Sequence, residues 1–224
     1  MQGQGTGPET PSQQDPWKRQ QPATREGLLE TAASIIAQPV PTIQRLVRER
    51  PVGWALVVIM VLSFGSALTA AATFSPADFS PSGQAPAATP QWRITILLLA
   101  AFFGPILGLL ANTIASGVFH LASMMLGGRG TYTGLFVGQA FAAIPSFFTI
   151  PFNLLPVFLG STGTALSGLV SLGIGIWELA LTVIVIRENS GFTTTRAIAA
   201  LVLSVVAVAA LDNLIFIIVL FLTV

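Results

Sequence analysis

Apolar residues run along this chain in five long stretches that begin at residue 52, and they recur at helical intervals in two short stretches before it. From Glu26 to Gln38, the residues Leu28, Leu29, Ala32, Ile35 and Ile36 fall on one face of a helix. The Pro39–Pro41 pair interrupts that run. Thr42 is then placed to cap a second short helix, in which Ile43, Leu46 and Val47 share one side and Arg45, Arg48 and Arg50 face the other. Two readings stand for this segment: an ordinary lead-in, or a helix lying in the membrane interface with its arginines among lipid headgroups. The apolar stretches start immediately after Arg50, which favours the interfacial one.

The first long stretch, Val52 to Phe74, is enough for a helix to cross roughly 30 Å of hydrocarbon. A Pro- and Ser-rich polar loop follows it. The second, Trp92 to Leu126, is over-long and interrupted by Gly104-Pro105, so a tilted or kinked helix is expected. The turn Gly127-Gly128-Arg129-Gly130 leads to the third, Tyr132 to Leu155. Its Pro145 and Pro151 free backbone carbonyls that neighbouring helices must satisfy, which predicts a kinked helix inside the bundle. Paired glycines suit a reversal needing positive φ, and Thr131 is positioned to cap the helix after it. A short uncharged loop at 156–163 precedes the fourth stretch, Thr164 to Ile186, and the polar loop Arg187–Arg196 precedes the fifth, Ala197 to Leu222. The pattern predicts an all-α chain: a disordered tail over 1–25, short cytoplasmic amphipathic helices over 26–50, and a five-helix transmembrane bundle over 51–224.

Composition supports this division. Hydrophobic residues make up 53% of the 224 positions and charged ones 8%, against roughly 25% charged in soluble domains; mean hydropathy is +0.78. The first 25 residues, rich in Gln, Pro, Gly and Thr, bury too little apolar area to offset the entropy of ordering. Trp17 among them reads as an incidental aromatic more readily than as a docking residue. The first 50 residues lack the basic start, apolar run and small-residue site of a signal peptide. With the N-terminus inside a cell membrane, Lys18, Arg19, Arg25, Arg45, Arg48, Arg50, Arg129, Arg187 and Arg196 all fall on the cytoplasmic side and only Arg93 outside. Five crossings then leave the C-terminus outside. The bilayer is the first expected partner, with other membrane or cytoplasmic proteins and a second copy of the chain also open. The basic cluster is short and juxtamembrane, so nucleic acid is not expected. Absence of cysteine excludes disulfides, thiolate metal sites and thiol catalysis.

Ionisable and amide groups at membrane depth are costly and therefore candidates for function. His120 lies in the second stretch, Glu178 in the fourth and Asp212 in the fifth, with Asn112, Asn153 and Asn213 adding polar groups. A cation-coupled transporter uses carboxylates in this way. The competing reading, which is favoured, makes them interhelical hydrogen bonds that hold the bundle together. Enzyme chemistry has little support: Ser116 shares a helix with His120, and no metal-ligand spacing is present. No cofactor is expected. Gly104-Pro-Ile-Leu-Gly108 and Gly134-Leu-Phe-Val-Gly138 fit the small-xxx-small pattern of close helix packing.

Four stretches occur in a characteristic order: Pro39-Val-Pro41-Thr-Ile-Gln-Arg45-Leu before the first span, Leu126-Gly127-Gly128-Arg129-Gly130-Thr-Tyr132-Thr between spans two and three, Gly138-Gln-Ala-Phe-Ala-Ala-Ile-Pro145 in the third, and Trp177 followed by Ser190–Ala197, including Arg196. Together they resemble the YIP family, polytopic membrane proteins named for interaction with Ypt/Rab GTPases. The resemblance covers roughly Ile35 to Leu222. The acidic motif that eukaryotic trafficking members carry before the first span is replaced by Arg50-Pro-Val-Gly-Trp54, and Gln139 stands in place of the usual Tyr, which points to the prokaryotic branch. The resemblance implies a fold and topology. A non-enzymatic membrane organiser or partner-recruiting scaffold is the expected role, with a small-solute or ion transporter as the rival.

Overall fold

The computed structural model describes residues 27–74 and 90–223, with side chains through Ala210. The tail at 1–25, Trp17 and the Pro- and Ser-rich loop lie outside the described residues, as do the side chains of Asp212 and Asn213.

Every regular element among the described residues is helical: α1 Leu28–Ala37, α2 Pro39–Glu49, α3 Val52–Thr73, α4 Pro90–Met125, α5 Tyr132–Ala142, a 3₁₀ turn Ile144–Phe148, α6 Thr149–Phe152, α7 Leu155–Ser190 and α8 Thr194–Thr223. Four stretches are long and apolar enough to cross a membrane: Val52–Thr73, Gln91–Met125, Tyr132–Phe152 and Leu155–Ser190. The apolar surface is turned outward on them. Leu98, Phe102 and Leu121 of α4 and Leu169 and Leu172 of α7 are each more than 60% exposed, as expected when the surrounding medium is hydrocarbon rather than water.

The buried centre is α5. Every residue from Gly134 to Ala142 is buried, and α5 packs against α2, α3, α4 and α7. The expected break near Pro145 is present: the α-helix ends at Ala142 and the 3₁₀ turn starts with that proline in its first turn. Proline cannot donate to the preceding helical turn, so the break falls where the sequence placed the kink. By contrast, α4 runs helically through Gly104-Pro105 for 36 residues, about 54 Å at 1.5 Å per residue. Both glycines serve packing instead. A Cβ on Gly104 would strike Ala67, and one on Gly108 would strike Ser63, so α3 and α4 come together along the Gly104-xxx-Gly108 face.

Three local expectations are corrected. Thr42 does not cap the second helix: α1 ends at Ala37, as the Pro39–Pro41 pair predicts, but Pro39 itself occupies the first turn of α2, where its missing N–H is no loss, so Thr42 sits inside that turn with its hydroxyl donating to Gln38 O at 2.7 Å. The interval Arg187–Arg196 is mostly helix rather than loop. Gly191 adopts the left-handed conformation (φ 69°) and its N–H bonds Arg187 O, which lets α7 continue to Ser190 before α8 starts at Thr194. The interval 156–163 belongs to α7, with a single non-helical residue, Gly160 (φ 54°, ψ −130°), bending it.

The apolar face of α2 is covered by protein, whereas on α1 only Ile35 of that face is buried and Leu29 is exposed. Ile35 and Ile43 are fully buried and Leu46 nearly so, in one core with Leu135, Phe141, Val185 and Ile186. Arg48, Glu49 and Arg50 remain exposed at the end of α2. The buried side of α2 meets α5 and α7.

Candidate functional site

Polar groups in this bundle fall into two sets. The first lies along the antiparallel contact of α5 and α7. Along this contact Gly138 meets Val185, the Thr182 hydroxyl donates to Gln139 Oε1 at 3.1 Å, and, from the 3₁₀ turn that follows α5, the Ser146 hydroxyl donates to Glu178 Oε1. Asn112 adds a bond from α4, Nδ2 to Phe136 O at 3.3 Å. Tyr132 OH donates to Thr113 O at 3.1 Å while its ring lies 6.3 Å from that of Phe136. Each closes a polar atom against a neighbouring helix, the arrangement that non-aqueous surroundings favour.

The predicted intramembrane candidates therefore separate. Asn112 and Glu178 are joined to other helices. Asn153 ends α6 with its backbone N–H on Thr149 O at 2.8 Å. His120 lies 6.4 Å, centroid to centroid, from Tyr132 in an edge-on arrangement, and its Nδ1 is buried without a partner among the described residues, as are the hydroxyls of Ser116 and Ser123 on the same helix. Trp177 points outward, 38% exposed. No three His, Asp or Glu side chains gather among the described residues, so no metal-ligand set is assembled there.

The second set lies at the end of the bundle where α2 finishes, the 126–131 turn reverses the chain, and α7 passes to α8. Thr131 caps α5 as the sequence predicts, its hydroxyl accepting from Gly134 N at 3.2 Å. Gly127 takes the positive φ (79°) foreseen for the turn. Asn189 clamps the turn from α7: Nδ2 donates to Thr131 O at 3.1 Å and Oδ1 accepts from Thr131 N at 3.4 Å. The small residues beside it are required, because a Cβ on Gly130 or Gly134 would collide with Asn189.

Around this clamp a cleft of about 320 Å³ is lined by Gln44, Val47, Arg48, Arg50, Arg129, Gly130, Thr131, Glu188 and Asn189. Beyond Arg129 a second hollow continues over Ser190, Gly191 and Phe192 to Arg196, whose guanidinium lies 6.0 Å from the centre of the Phe192 ring. The carboxylate of Glu188 is fully engaged: Oε1 pairs with Arg187 at 2.6 Å and Oε2 accepts from Gln44 Nε2 at 2.9 Å. Among the described residues, neither Arg48 nor Arg129 meets a carboxylate, and Arg50 Nε is tied to Val47 O at 3.3 Å. Arg50 also holds the left-handed backbone conformation (φ 53°) in which Gly is usual. A non-glycine residue there costs about 1 kcal/mol, so at this cap the arginine side chain is kept against its backbone preference. Arg45 is partly buried.

Sequence reasoning did not single out Gln44, Gln139, Ser146, Thr182 or Asn189 for these roles. Gln139 carried a usable signal, being an amide in an apolar stretch like Asn112. Asn189 carried none, since its meaning depends on the turn that folds against it.

A family model describing the Yip1 domain matches residues 33–220. The chain belongs to the Yip1 domain family. The match runs from the second half of α1 to near the end of α8, so both the α5–α7 seam and the arginine-lined cleft lie inside the Yip1 domain. With its long apolar helices, this Yip1 chain is a multi-pass membrane protein. No curated protein and no solved structure matches it. The motif residues of the family resemblance occupy structural corners of the Yip1 domain: Pro39 starts α2, Gly127, Gly128 and Gly130 form the turn, Tyr132 opens α5, Gly138 meets Val185, Pro145 starts the 3₁₀ turn and Arg196 opens α8.

Proposed function

We propose that this Yip1 protein is a non-enzymatic organiser of the bilayer that recruits its partners at the arginine-bearing end, with five crossings, the N-terminus in the cytoplasm and the C-terminus outside. The observation that carries the reading is the contrast between the two polar sets: Glu178 and Gln139 are paired with Ser146 and Thr182 along the α5–α7 seam, while the end cleft is open and cationic. The fifth crossing is α8, helical over 30 residues. Orientation is supported by Arg48, Arg50, Arg129, Arg187 and Arg196 gathering at one end. Arg93 sits near the far start of α4, about 50 Å away along that helix. An excess of basic residues marks the cytoplasmic face.

The rival reading, a transporter, draws on one observation: Glu178 also borders an open groove along α7, lined by Ser171, Gly175 and Thr182 among others. Single cysteines at 139, 178 and 182, in a chain with no native cysteine, separate the two. A membrane-impermeant maleimide is expected to leave all three unlabelled in intact membranes while labelling a cysteine at 129 from the cytoplasmic side. Labelling of 139 and 178 through a water-filled route would sink the scaffold reading in favour of transport.

A further inference from the structure

We propose that the end cleft is a binding site for a phosphate-bearing anion, supplied by the headgroup of an anionic lipid in the leaflet that surrounds it. The inference rests on the proposed reading only for which membrane face is involved. Three arginines, Arg48, Arg50 and Arg129, line one hollow together with Gln44, Asn189 and Thr131. Guanidinium forks match the oxygens of a phosphate in pairs, and neutral amide and hydroxyl donors complete such a shell. The one carboxylate in the lining, Glu188, has both oxygens occupied by Arg187 and Gln44, so it does not cancel the arginines.

The cleft is also prebuilt. Asn189 holds the turn that carries Arg129, and Arg50 Nε is anchored on Val47 O, so two of the three cations are presented by fixed backbone. A volume of about 320 Å³ admits a glycerophosphate group and is too small for a helix or folded segment. Position selects the lipid as the source. The cleft sits one residue before Pro51 and two before the start of α3, hence at the level where the first span meets the membrane surface. Basic pockets between helices at that level are suited to phosphate headgroups.

The test uses the full chain purified in mild detergent and offered equal amounts of phosphatidylglycerol and phosphatidylcholine, with retained lipid counted by native mass spectrometry. Wild-type protein is expected to retain phosphatidylglycerol preferentially. Each of Arg48→Gln, Arg50→Gln and Arg129→Gln should weaken that preference about fivefold, and the triple variant more than tenfold, while Arg93→Gln at the far end changes nothing. A parallel arm titrates inorganic phosphate and sn-glycerol 3-phosphate and follows the melting temperature. Stabilisation there that the triple variant loses, with lipid preference unchanged, keeps the anion site but overturns the lipid as its source. If the triple variant behaves as wild type in both arms, the site does not exist. Arg129→Gln, at an exposed side chain, carries the test should the triple variant fail to fold. A cysteine-labelling result favouring transport would leave the lipid arm standing, so the two readings fail separately.

Discussion

Glu178 and Glu188 lie on the same helix, ten residues apart, and the bundle treats them differently. Glu178, well inside the fourth apolar stretch, is joined to Ser146 across the helix interface. Glu188, at the end of the bundle, is held by Arg187 and Gln44, and the arginines beyond it are left facing a cleft. The difference teaches where this protein can afford an open polar atom. At depth, an unpaired group loses both water and partner, so the seam between α5 and α7 closes it. At the end, headgroups and water stand ready, and openness becomes a means of binding.

That comparison can be broken most forcefully by forcing α5 away from α7. Gly138→Leu would place a side chain into Val185, which is fully buried. Overpacking of this kind should cost about 3 kcal/mol, read as a shift in the reversible unfolding of the protein in mixed micelles. A stability like that of wild type would show that the seam is not a fixed contact. A smaller loss is expected from Ser146→Ala, which strips Glu178 of its hydroxyl partner. Interhelical hydrogen bonds of this class contribute about 1 kcal/mol, and the same unfolding assay resolves it. Thr131→Ala removes the cap of α5 at the boundary between the two regions and should cost about 1 kcal/mol. Smallest of all is the expected effect on folding of Arg129→Gln, within about 0.5 kcal/mol because the side chain is exposed. A large destabilisation there would mean that the cleft is structural rather than a place for a ligand.

Much of the architecture was legible because hydrocarbon imposes simple demands. The limits of the first two long apolar segments, the cap at Thr131, the positive φ at Gly127 and the break before Pro145 each follow from a local rule acting on local residues. The misread positions share a different cause. Thr42 suits a helix cap by residue type, but α2 already starts at Pro39, because proline is favoured in a first turn. The polar interval after Arg187 was read as loop on composition, while Gly191 allowed the helix to run on to Ser190. The Gly104-xxx-Gly108 pattern does signal close packing, and Ala67 and Ser63 approach α4 on that face, while the helix runs on through the Gly104-Pro105 interruption. The site was less legible than the fold. Arginines near a membrane are visible in any sequence, but their convergence needs the turn at 126–131, the end of α2 and the end of α7 in one place. Likewise, Asn112 signals a buried amide without naming its partner, a backbone carbonyl 24 residues further along.

Only Arg50 and Pro51 separate α2 from α3. Pro51 has its φ fixed by its ring and Arg50 sits in a narrow left-handed well, so the joint has little torsional play. On its other side α2 is wedged between α5 and α7. The first span is therefore hung from the bundle by a stiff bracket, and the bracket carries two of the three cleft arginines. A ligand in the cleft would therefore sit directly against the joint from which the first span hangs.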